Sequence, residues 1–326
     1  MAEEKMVRVC VTGAGGYIAS WLVKLLLSKG YLVHGTVRDP GNPKNGHLKS
    51  LENAPDRLRL FKADILDYDR ILAAVSGSAG VFHLACPVPL DKVENPEVDL
   101  LEPALTGTRN VLKASLEAKV RKVVVVSSVT TVAMTADPRP KDQPLDETVW
   151  SDVEYCKLRE YWYCVAKTLA EMEALEFSKR TGLNITTICP SITIGPMLQR
   201  TLNASSSYFL EIMKGTKPLE NIGTCFVDVR DTAEAILLVY ESPEAEGRYI
   251  CSASETSMKE LVSMLKEVYP AYNYQKSYEE VQNAVSLSSV KLQNLGWKHR
   301  AFKETLNDTI HNYREAESLS TNGTAS

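Results

Sequence analysis

The sequence predicts an α/β fold, a doubly wound parallel sheet with a smaller C-terminal lobe. Short β-branched apolar runs alternate with helical stretches over the first 190 residues. Two runs, Val123–Val126 and Ile185–Ile188, consist wholly of β-branched residues, apolar except for two threonines, as expected for central strands covered on both faces. A glycine-rich turn joins the first strand to the first helix, where such sheets bind phosphate groups. Together these observations predict the Rossmann arrangement.

The predicted strands and helices follow one another in strict alternation. Strands are predicted at 7–13, 31–38, 57–65, 80–85, 120–128 and 183–190. Helices are predicted between them, notably at 16–30, 67–75, 97–118 and 160–181. Because strand–helix–strand crossovers are right-handed, this alternation predicts helices on both faces of one parallel sheet.

Beyond residue 190 the alternation loosens. A Ser- and Asn-rich stretch at 203–207 precedes a helix, 227–243 has a helical pattern, and 247–252 has a strand pattern. We therefore predict a dinucleotide-binding domain over 1–190, with part of 221–252 packing back onto it. Residues 191–315 would form a substrate-binding lobe, and the polar segment 316–326 a disordered tail.

Composition excludes several classes of protein. The 326 residues are 44% hydrophobic and carry a net charge of −4, so no positive field favours nucleic acid or anionic membrane. The N-terminal residues lack the basic start and apolar centre of a signal peptide, and no apolar stretch is long enough to span a bilayer. We expect a cytoplasmic protein without nucleic-acid or membrane partners, as a monomer or weak homodimer.

The seven cysteines are scattered and form no C-x-x-C pair, which favours reduced thiols and argues against structural zinc. Cys156 and Cys164 are eight residues apart. A continuous helix would separate them by about 12 Å along its axis, too far for a disulfide. A bridge is therefore expected only if a loop starts this segment.

The glycine turn has the pattern G-x-x-G-x-x-A on Gly13, Gly16 and Ala19. The first glycine permits a tight turn, the second lets the backbone approach a pyrophosphate, and the small alanine lets helix and strand pack closely. The alternative is a glycine turn in a non-binding protein, but the position between strand and helix favours a dinucleotide. The residues expected to contact it are Gly13, Gly15, Gly16, Tyr17 and Ile18.

The end of the second strand indicates which dinucleotide binds. Arg38 lies about twenty residues after the glycines, and Lys44 follows it. Two cations there suit a ribose 2′-phosphate, and hence NADP(H). In the alternative, both are solvated surface charges and Asp39 binds the ribose hydroxyl of NAD.

The ends of the third and fourth strands should also face the cofactor. Asp64 and Ile65 are placed to meet the adenine, and Leu84, Ala85 and Cys86 to flank the middle of the dinucleotide. His83 lies within an apolar strand, so we predict a hydrogen-bonded core residue there rather than a catalytic one.

A Y-x-x-x-K motif on Tyr163 and Lys167 carries the predicted chemistry. At this spacing the two side chains share one helix face. Ser128 ends a central strand, at the edge where doubly wound sheets keep their sites. A second match, Tyr272 and Lys276, lies in a polar stretch without a preceding glycine loop, and we interpret it as surface.

These three residues suggest a carbonyl reduction. NADPH would supply a hydride, Ser128 would hold the carbonyl oxygen, and Tyr163 would donate a proton to it. The cationic Lys167 would lower the pKa of Tyr163 and hold the nicotinamide ribose. The mechanism needs no metal.

Several segments together resemble the extended short-chain dehydrogenase/reductases, and most closely the plant cinnamoyl-CoA reductase and dihydroflavonol reductase group. The resemblance runs from about residue 6 to 316, on VTGAGGYIASWLV, VRDPGNPKN, KADILD, GVFHLACP, VVVVSSV, WYCVAKTLAE, CPSITIGPMLQRTLNASS, FVDVRD and EAEGRYICS. It implies Ser128, Tyr163 and Lys167 as catalytic residues and Arg38 and Lys44 as 2′-phosphate contacts. It also implies a nicotinamide side lined by Pro190, Ser191, Ile192, Thr193 and Ser205.

The sequence departs from both branches near the predicted substrate pocket. The reductase branch has the pattern N-W-Y-C-Y-G-K, where this chain carries Tyr161, Val165 and Ala166. Dihydroflavonol reductases place Asn where this chain has Ala133, which donates no hydrogen bond to a polyphenol. We therefore expect an aromatic or apolar aldehyde, ketone or thioester as substrate. The predicted pocket residues are Val129, Thr130, Ala133, Met197, Leu198 and Phe226.

Three functions compete on these grounds. The first is the NADPH-dependent carbonyl reductase, with a dihydroflavonol or ketone reductase as the variant within the group. The second is an epimerase or dehydratase that retains NAD, against which Arg38 and Lys44 argue. The third is a non-catalytic NADP-sensing protein, which would not need a serine, tyrosine and lysine together.

Overall fold

The computed structural model describes residues 6–88, 93–135, 143–215, 220–221, 223–270, 274, 279–280 and 285–315. The strands are β1 Arg8–Thr12, β2 Leu32–Val37, β3 Leu58–Lys62, β4 Gly80–His83, β5 Lys122–Val126, β6 Ile185–Pro190, β7 Ile192–Ile194, β8 Glu220–Asn221, β9 Gly223–Asp228, β10 Gly247–Cys251, β11 Ser254–Ser257 and β12 Glu279–Glu280. The helices are α1 Tyr17–Ser28, α2 Gly46–Lys49, α3 Ala54–Arg57, α4 Tyr68–Val75, α5 Glu102–Glu117, α6 Val153–Leu158, α7 Trp162–Thr181, α8 Ala204–Lys214, α9 Val229–Glu241, α10 Met258–Val268, α11 Val290–Asn294 and α12 Phe302–Glu315.

Seven parallel strands form the central sheet, in the order β10-β6-β5-β4-β1-β2-β3. From β1 the chain adds β2 and β3 on one side of the sheet and then β4, β5 and β6 on the other, so the strand order reverses between β1 and β4. Ligands bind at this switch point in doubly wound folds. The predicted fold class is therefore confirmed. β10 comes late in the chain but pairs with β6, so the segment after α9 returns to the central sheet.

The two central strands β5 and β6 are rich in β-branched residues and fully enclosed. All five residues of β5 and all six of β6 are buried. Helix α1 packs against α9 on one face of the sheet, and α5 packs against α7 on the other. Enclosure on both faces explains the uninterrupted apolar run Val123–Val126, and the two threonines of β6 are buried with their hydroxyls hydrogen-bonded.

Three helices begin later than the sequence pattern predicts, because local backbone conformation or capping sets the first residue. The predicted helix at 160–181 starts later, because Glu160 takes a left-handed conformation with φ of 57° and α6 ends before it. The predicted helix at 227–243 begins at Val229, because Asp228 ends β9 and its carboxylate accepts the Arg230 N–H. Residues 97–101 form a π-helical turn ahead of α5.

A second apolar core lies beside the sheet β11-β9-β7. Phe209 on α8, Phe226 on β9 and Tyr313 on α12 are fully buried in it. The proposed boundary at residue 190 stays a prediction, and the predicted tail at 316–326 lies outside the described residues. Across the described segments, no helix is long and apolar enough to cross a membrane.

Candidate active site

The glycine turn after β1 leaves no room for side chains. Gly13 has φ of +66°, and a Cβ there would lie 3.0 Å from the Cα of Ala85. A Cβ at Gly15 would collide with the side-chain oxygen of Asn45. Asn45 itself is buried and donates to the carbonyl oxygen of Asp39. The backbone therefore forms a cradle of the kind that a pyrophosphate needs.

The first turn of α1 keeps its backbone donors available. Gly16 is the N-cap and offers no side-chain cap, and no acidic residue lies in the first turn. The side chain of Tyr17 points away from this end, since its hydroxyl donates to the Gly195 carbonyl at 2.8 Å. Ile18 packs into the core. These residues would therefore meet phosphate oxygens through backbone N–H groups.

Arg38 and Lys44 both lie beyond the carboxyl end of β2, and both side chains are exposed. Within the described residues, neither forms an ion pair with a carboxylate. The competing acid, Asp39, already accepts the Gly41 N–H at 2.9 Å in a tight turn. The arrangement suits a 2′-phosphate better than a 2′-hydroxyl.

Asp64 and Ile65 follow β3, as predicted for residues near the adenine. Asp64 is exposed and accepts the Leu66 N–H. Ile65 packs tightly against Gly107 of α5, where a Cβ would collide with it. Its carbonyl oxygen accepts from Asn110.

Leu84, Ala85 and Cys86 follow β4, at the switch point where the strand order reverses. The N–H groups of Leu84 and Ala85 both donate to the hydroxyl of Thr12 at 3.1 Å. This bond holds the loop after β4 against the glycine turn. His83 is buried and hydrogen-bonds Thr12 and Thr108, so the predicted core role of this histidine is confirmed.

Ser128 and Tyr163 bring their hydroxyl groups to the same place, near enough for the serine to act on the pKa of the phenol. Ser128 follows β5 and caps a 3-10 turn at 129–131, where its oxygen accepts the Thr130 N–H at 3.2 Å. Tyr163 lies in the first turn of α7. Burial raises the pKa of the Tyr163 phenol above its usual value, although the charge of Lys167 and the nearby Ser128 hydroxyl act in the opposite direction.

Lys167 lies one turn after Tyr163, with its side chain 7% exposed. Its Nζ donates to the carbonyl oxygen of Val126 at 2.8 Å. Burial acts to lower the pKa of Lys167, but the acidic groups of Cys86, Tyr163 and Glu171 hold the pKa above its usual value. Lys167 is therefore a buried cation beside the phenol.

Sequence reasoning missed the buried pair of Glu171 and Arg248. Glu171 lies one turn after Lys167 on α7, and Arg248 Nε on β10 donates to its carboxylate at 2.9 Å. Burial acts to raise the pKa of Glu171, but Arg248 and hydroxyl donors hold it below its usual value. The sequence did contain a signal, because Glu171 follows Lys167 at the same four-residue spacing that separates Lys167 from Tyr163.

The predicted nicotinamide side gathers near the carboxyl end of β6. Pro190 ends that strand, and Ile192 and Thr193 begin β7. Ser191 N–H donates to Cys251, while its buried hydroxyl has no hydrogen-bond partner in the described part of the chain. Ser205 lies in the first turn of α8 and accepts from Asn203. Their contact with a cofactor stays a prediction.

The predicted pocket residues divide between two places. Val129, Thr130 and Ala133 are partly exposed around the turn that follows Ser128. Leu198 is partly exposed, whereas Met197 and Phe226 are buried in the second core. Phe226 packs against Phe302 with ring centroids 5.5 Å apart. The structure thus groups the first three with the candidate catalytic residues, and the role of the others stays a prediction.

Cys156 and Cys164 are both buried and reduced. They do not lie on one continuous helix, since α6 and α7 are separate, and they form no disulfide. The break lets both thiols pack in one small apolar cluster with Val165. Burial raises the pKa of both thiols, which slows their reactions.

No group of three His, Cys, Asp or Glu suited to a metal ion occurs in the described residues. The second Y-x-x-x-K match, Tyr272 and Lys276, lies outside them.

Comparison with known proteins identifies the class. The model of the NAD dependent epimerase/dehydratase family matches residues 9–251. Cinnamoyl-CoA reductase 2 of Medicago truncatula is 45% identical over 94% of this chain and 91% of its own length. Tetraketide alpha-pyrone reductase 1 of Arabidopsis thaliana is 43% identical over 96% of this chain and 97% of its own length. The crystal structure of Gre2 from Candida albicans with NADPH has a TM-score of 0.83 and 26% identity, over 95% of this chain and 99% of that one.

The chain therefore belongs to the NAD dependent epimerase/dehydratase family, the extended short-chain dehydrogenase/reductases. Within that family it is an oxidoreductase of the plant cinnamoyl-CoA reductase-like group, and the resemblance seen in the sequence is confirmed.

Proposed function

We propose that this oxidoreductase transfers a hydride from NADPH to the carbonyl of an aromatic or apolar aldehyde, ketone or CoA thioester. The observation that carries the proposal is the joint placement of Ser128, Tyr163 and Lys167. The Ser128 hydroxyl lies near enough to the Tyr163 phenol to act on its pKa, and Lys167 lies one turn below the phenol. A binding protein without catalysis has no use for this arrangement.

The cofactor is NADP(H), which supplies the hydride when bound. The residues fit it: the cradle at Gly13 and Gly15 admits a backbone approach, and α1 offers uncapped N–H groups. Arg38 and Lys44 would hold the 2′-phosphate. The NADPH complex of Gre2, which shares this fold, supports the assignment.

Tyr163 would act as the general acid. Its raised pKa keeps the phenol protonated at neutral pH, the form that can donate to a developing alkoxide. Ser128 would hold the same oxygen. The charge of Lys167 favours the tyrosinate that remains after the proton leaves, so proton transfer is less costly than for an isolated buried phenol.

The proposed substrate class follows from the residues around the serine. Val129 and Ala133 follow Ser128 in the chain and are apolar and partly exposed, with their buried part packed on a small core. Relatives named for cinnamoyl-CoA support an aromatic thioester. The relative named for a tetraketide alpha-pyrone supports the second candidate, a ketone reductase of the same group.

We further propose a cytoplasmic enzyme, monomeric or weakly dimeric, with cofactor and substrate regions divided near residue 190. The scattered reduced cysteines and the modest net charge support this location.

NADPH oxidation with three matched substrates tests the function. These are a hydroxycinnamoyl-CoA thioester, the corresponding free aldehyde, and a dihydroflavonol. Turnover of the thioester supports a cinnamoyl-CoA reductase that tolerates Tyr161, Val165 and Ala166. Turnover of the aldehyde alone indicates a general carbonyl reductase, and turnover of the dihydroflavonol alone supports the ketone candidate. NADPH binding without turnover of any carbonyl would contradict the proposal.

A further inference from the structure

Glu171 connects the catalytic helix to the strand that carries Ser128. Its carboxylate is 1% exposed and accepts the hydroxyl of Ser127, the neighbour of Ser128, at 2.7 Å. The hydroxyl of Thr187 on β6 donates to the other carboxylate oxygen at 2.6 Å. One carboxylate thereby holds α7 against the end of β5 and the middle of β6.

Arg248 holds Glu171 in this place and continues the connection to the turn after Ser128. Its Nη2 donates to the hydroxyl of Thr131, the last residue of that turn, at 3.0 Å. Its Nη1 donates to the carbonyl of Val149 at 2.7 Å, and the Trp150 ring covers the guanidinium at 3.5 Å. The segment that contains Ser128 is therefore fixed at both ends by one buried ion pair.

We propose that Glu171, held by Arg248, is a positioning residue that sets Ser128, Tyr163 and Lys167 in their reactive arrangement. The inference rests on the proposed function. Stability gives little reason for the pair, because well-packed apolar side chains often replace a buried ion pair without loss. The contacts of the ion pair with Ser127 and Thr131, on both sides of Ser128, give a functional reason for keeping it.

Glu171 also acts on the charge of Lys167. The titratable groups that face Lys167 are Tyr163 on α7, Cys86 and His83 on the β4 side, Cys189 on β6, and Glu171 with its partner Arg248. Glu171 is the carboxylate among those that raise the pKa of the lysine. Removing its charge should let Lys167 lose its proton at lower pH.

The first test removes a single hydroxyl. Ser127→Ala keeps the ion pair but frees the strand end beside Ser128, and kcat should fall at least about tenfold because a small misplacement is costly. Thr186→Ala is the matched control, since Thr186 is also a buried hydroxyl of the central sheet but donates to the carbonyl oxygen of Ala245 instead. Its kcat should match the wild type. A wild-type kcat in Ser127→Ala, or an equal loss in Thr186→Ala, would overturn the inference.

The second test measures the pH dependence of kcat, which a purely structural role of Glu171 would not change. In Glu171→Gln/Arg248→Met the basic limb of the kcat–pH profile should move to lower pH, with the KM of the carbonyl substrate little changed. Asp231→Asn/Arg300→Met removes another partly buried ion pair, one that is not among the charges acting on Lys167 or Tyr163, and should leave the limb in place. An unmoved limb in the folded double variant overturns the inference, and if that variant does not fold, Ser127→Ala decides.

Tyr163→Phe separates the two proposals. If Tyr163→Phe turns over normally, the proposed function fails. If Tyr163→Phe is inactive while Ser127→Ala is fully active, the function stands and only the positioning role of Glu171 fails.

Discussion

Lys167 Nζ lies 2.8 Å from the carbonyl oxygen of Val126, the last residue of β5. This bond joins the helix of the candidate acid to the strand of the candidate carbonyl anchor, two residues before Ser128. A buried ammonium placed there is charged, close to the phenol of Tyr163 and fixed in direction. The chemistry proposed for the site depends on how this bond positions α7 relative to the end of β5.

Replacing Arg38 and Lys44 together with alanine should change cofactor preference. Losing charge-assisted bonds to a phosphate should raise the Kd of NADPH about 10- to 100-fold, with the Kd of NADH little changed. Fluorescence titration of both cofactors measures this. Lys49→Ala, an exposed lysine on the nearby α2, is the control and should leave both Kd values unchanged. An equal effect on NADH and NADPH would refute the 2′-phosphate assignment.

Gly13→Ala should damage both stability and cofactor binding. An alanine at φ of +66° costs about 1–2 kcal/mol, and its Cβ would press on the Ala85 backbone. The free energy of unfolding should fall by at least that amount, and NADPH should bind more weakly. Gly46→Ala is the control: Gly46 has φ of −58° and open space around it, so its stability should be unchanged or up to about 1 kcal/mol higher. Equal behaviour of the two variants would contradict the strained turn.

His83 should make the protein sensitive to mild acid. Burial, with the charge of Lys167, lowers the pKa of His83 to about 3. The unfolded chain therefore binds a proton below about pH 6.5 that the folded chain refuses, and stability falls as the pH drops from 6.5 toward 3. The loss should be about 1.4 kcal/mol per pH unit.

Urea unfolding at about pH 7 and about pH 4.5 measures how much stability the protein loses between these two pH values. In His83→Gln the difference in free energy between the two pH values should shrink by about 2–3 kcal/mol. The exposed His311→Gln is the control and should behave like the wild type. A pH dependence unchanged in His83→Gln would show that this histidine is not held neutral.

The parts of the site that the sequence predicts are local. Gly13 and Gly16 are three residues apart, and Tyr163 and Lys167 four apart, so secondary structure alone places each pair. Apolar β-branched runs were enough to predict the central sheet, because a strand enclosed on both faces has no polar side to obscure it.

The parts that the sequence could not predict depend on contacts between distant segments. Glu171 and Arg248 are 77 residues apart, and they meet only because β10 pairs with β6. The turn at Glu160 interrupts a helical pattern with one left-handed residue, which helical periodicity does not register. The contact of Cys156 with Cys164 follows from that turn.

The most direct test of the central claim is NADPH oxidation by Tyr163→Phe with a carbonyl that the wild type reduces. Tyr272→Phe, in the second Y-x-x-x-K match, is the control. Because general acid catalysis typically contributes about 10²–10⁴ in rate, Tyr163→Phe should lose at least about a hundredfold in kcat while the Kd of NADPH stays unchanged. Tyr272→Phe should keep full activity. Full activity in Tyr163→Phe would contradict the account.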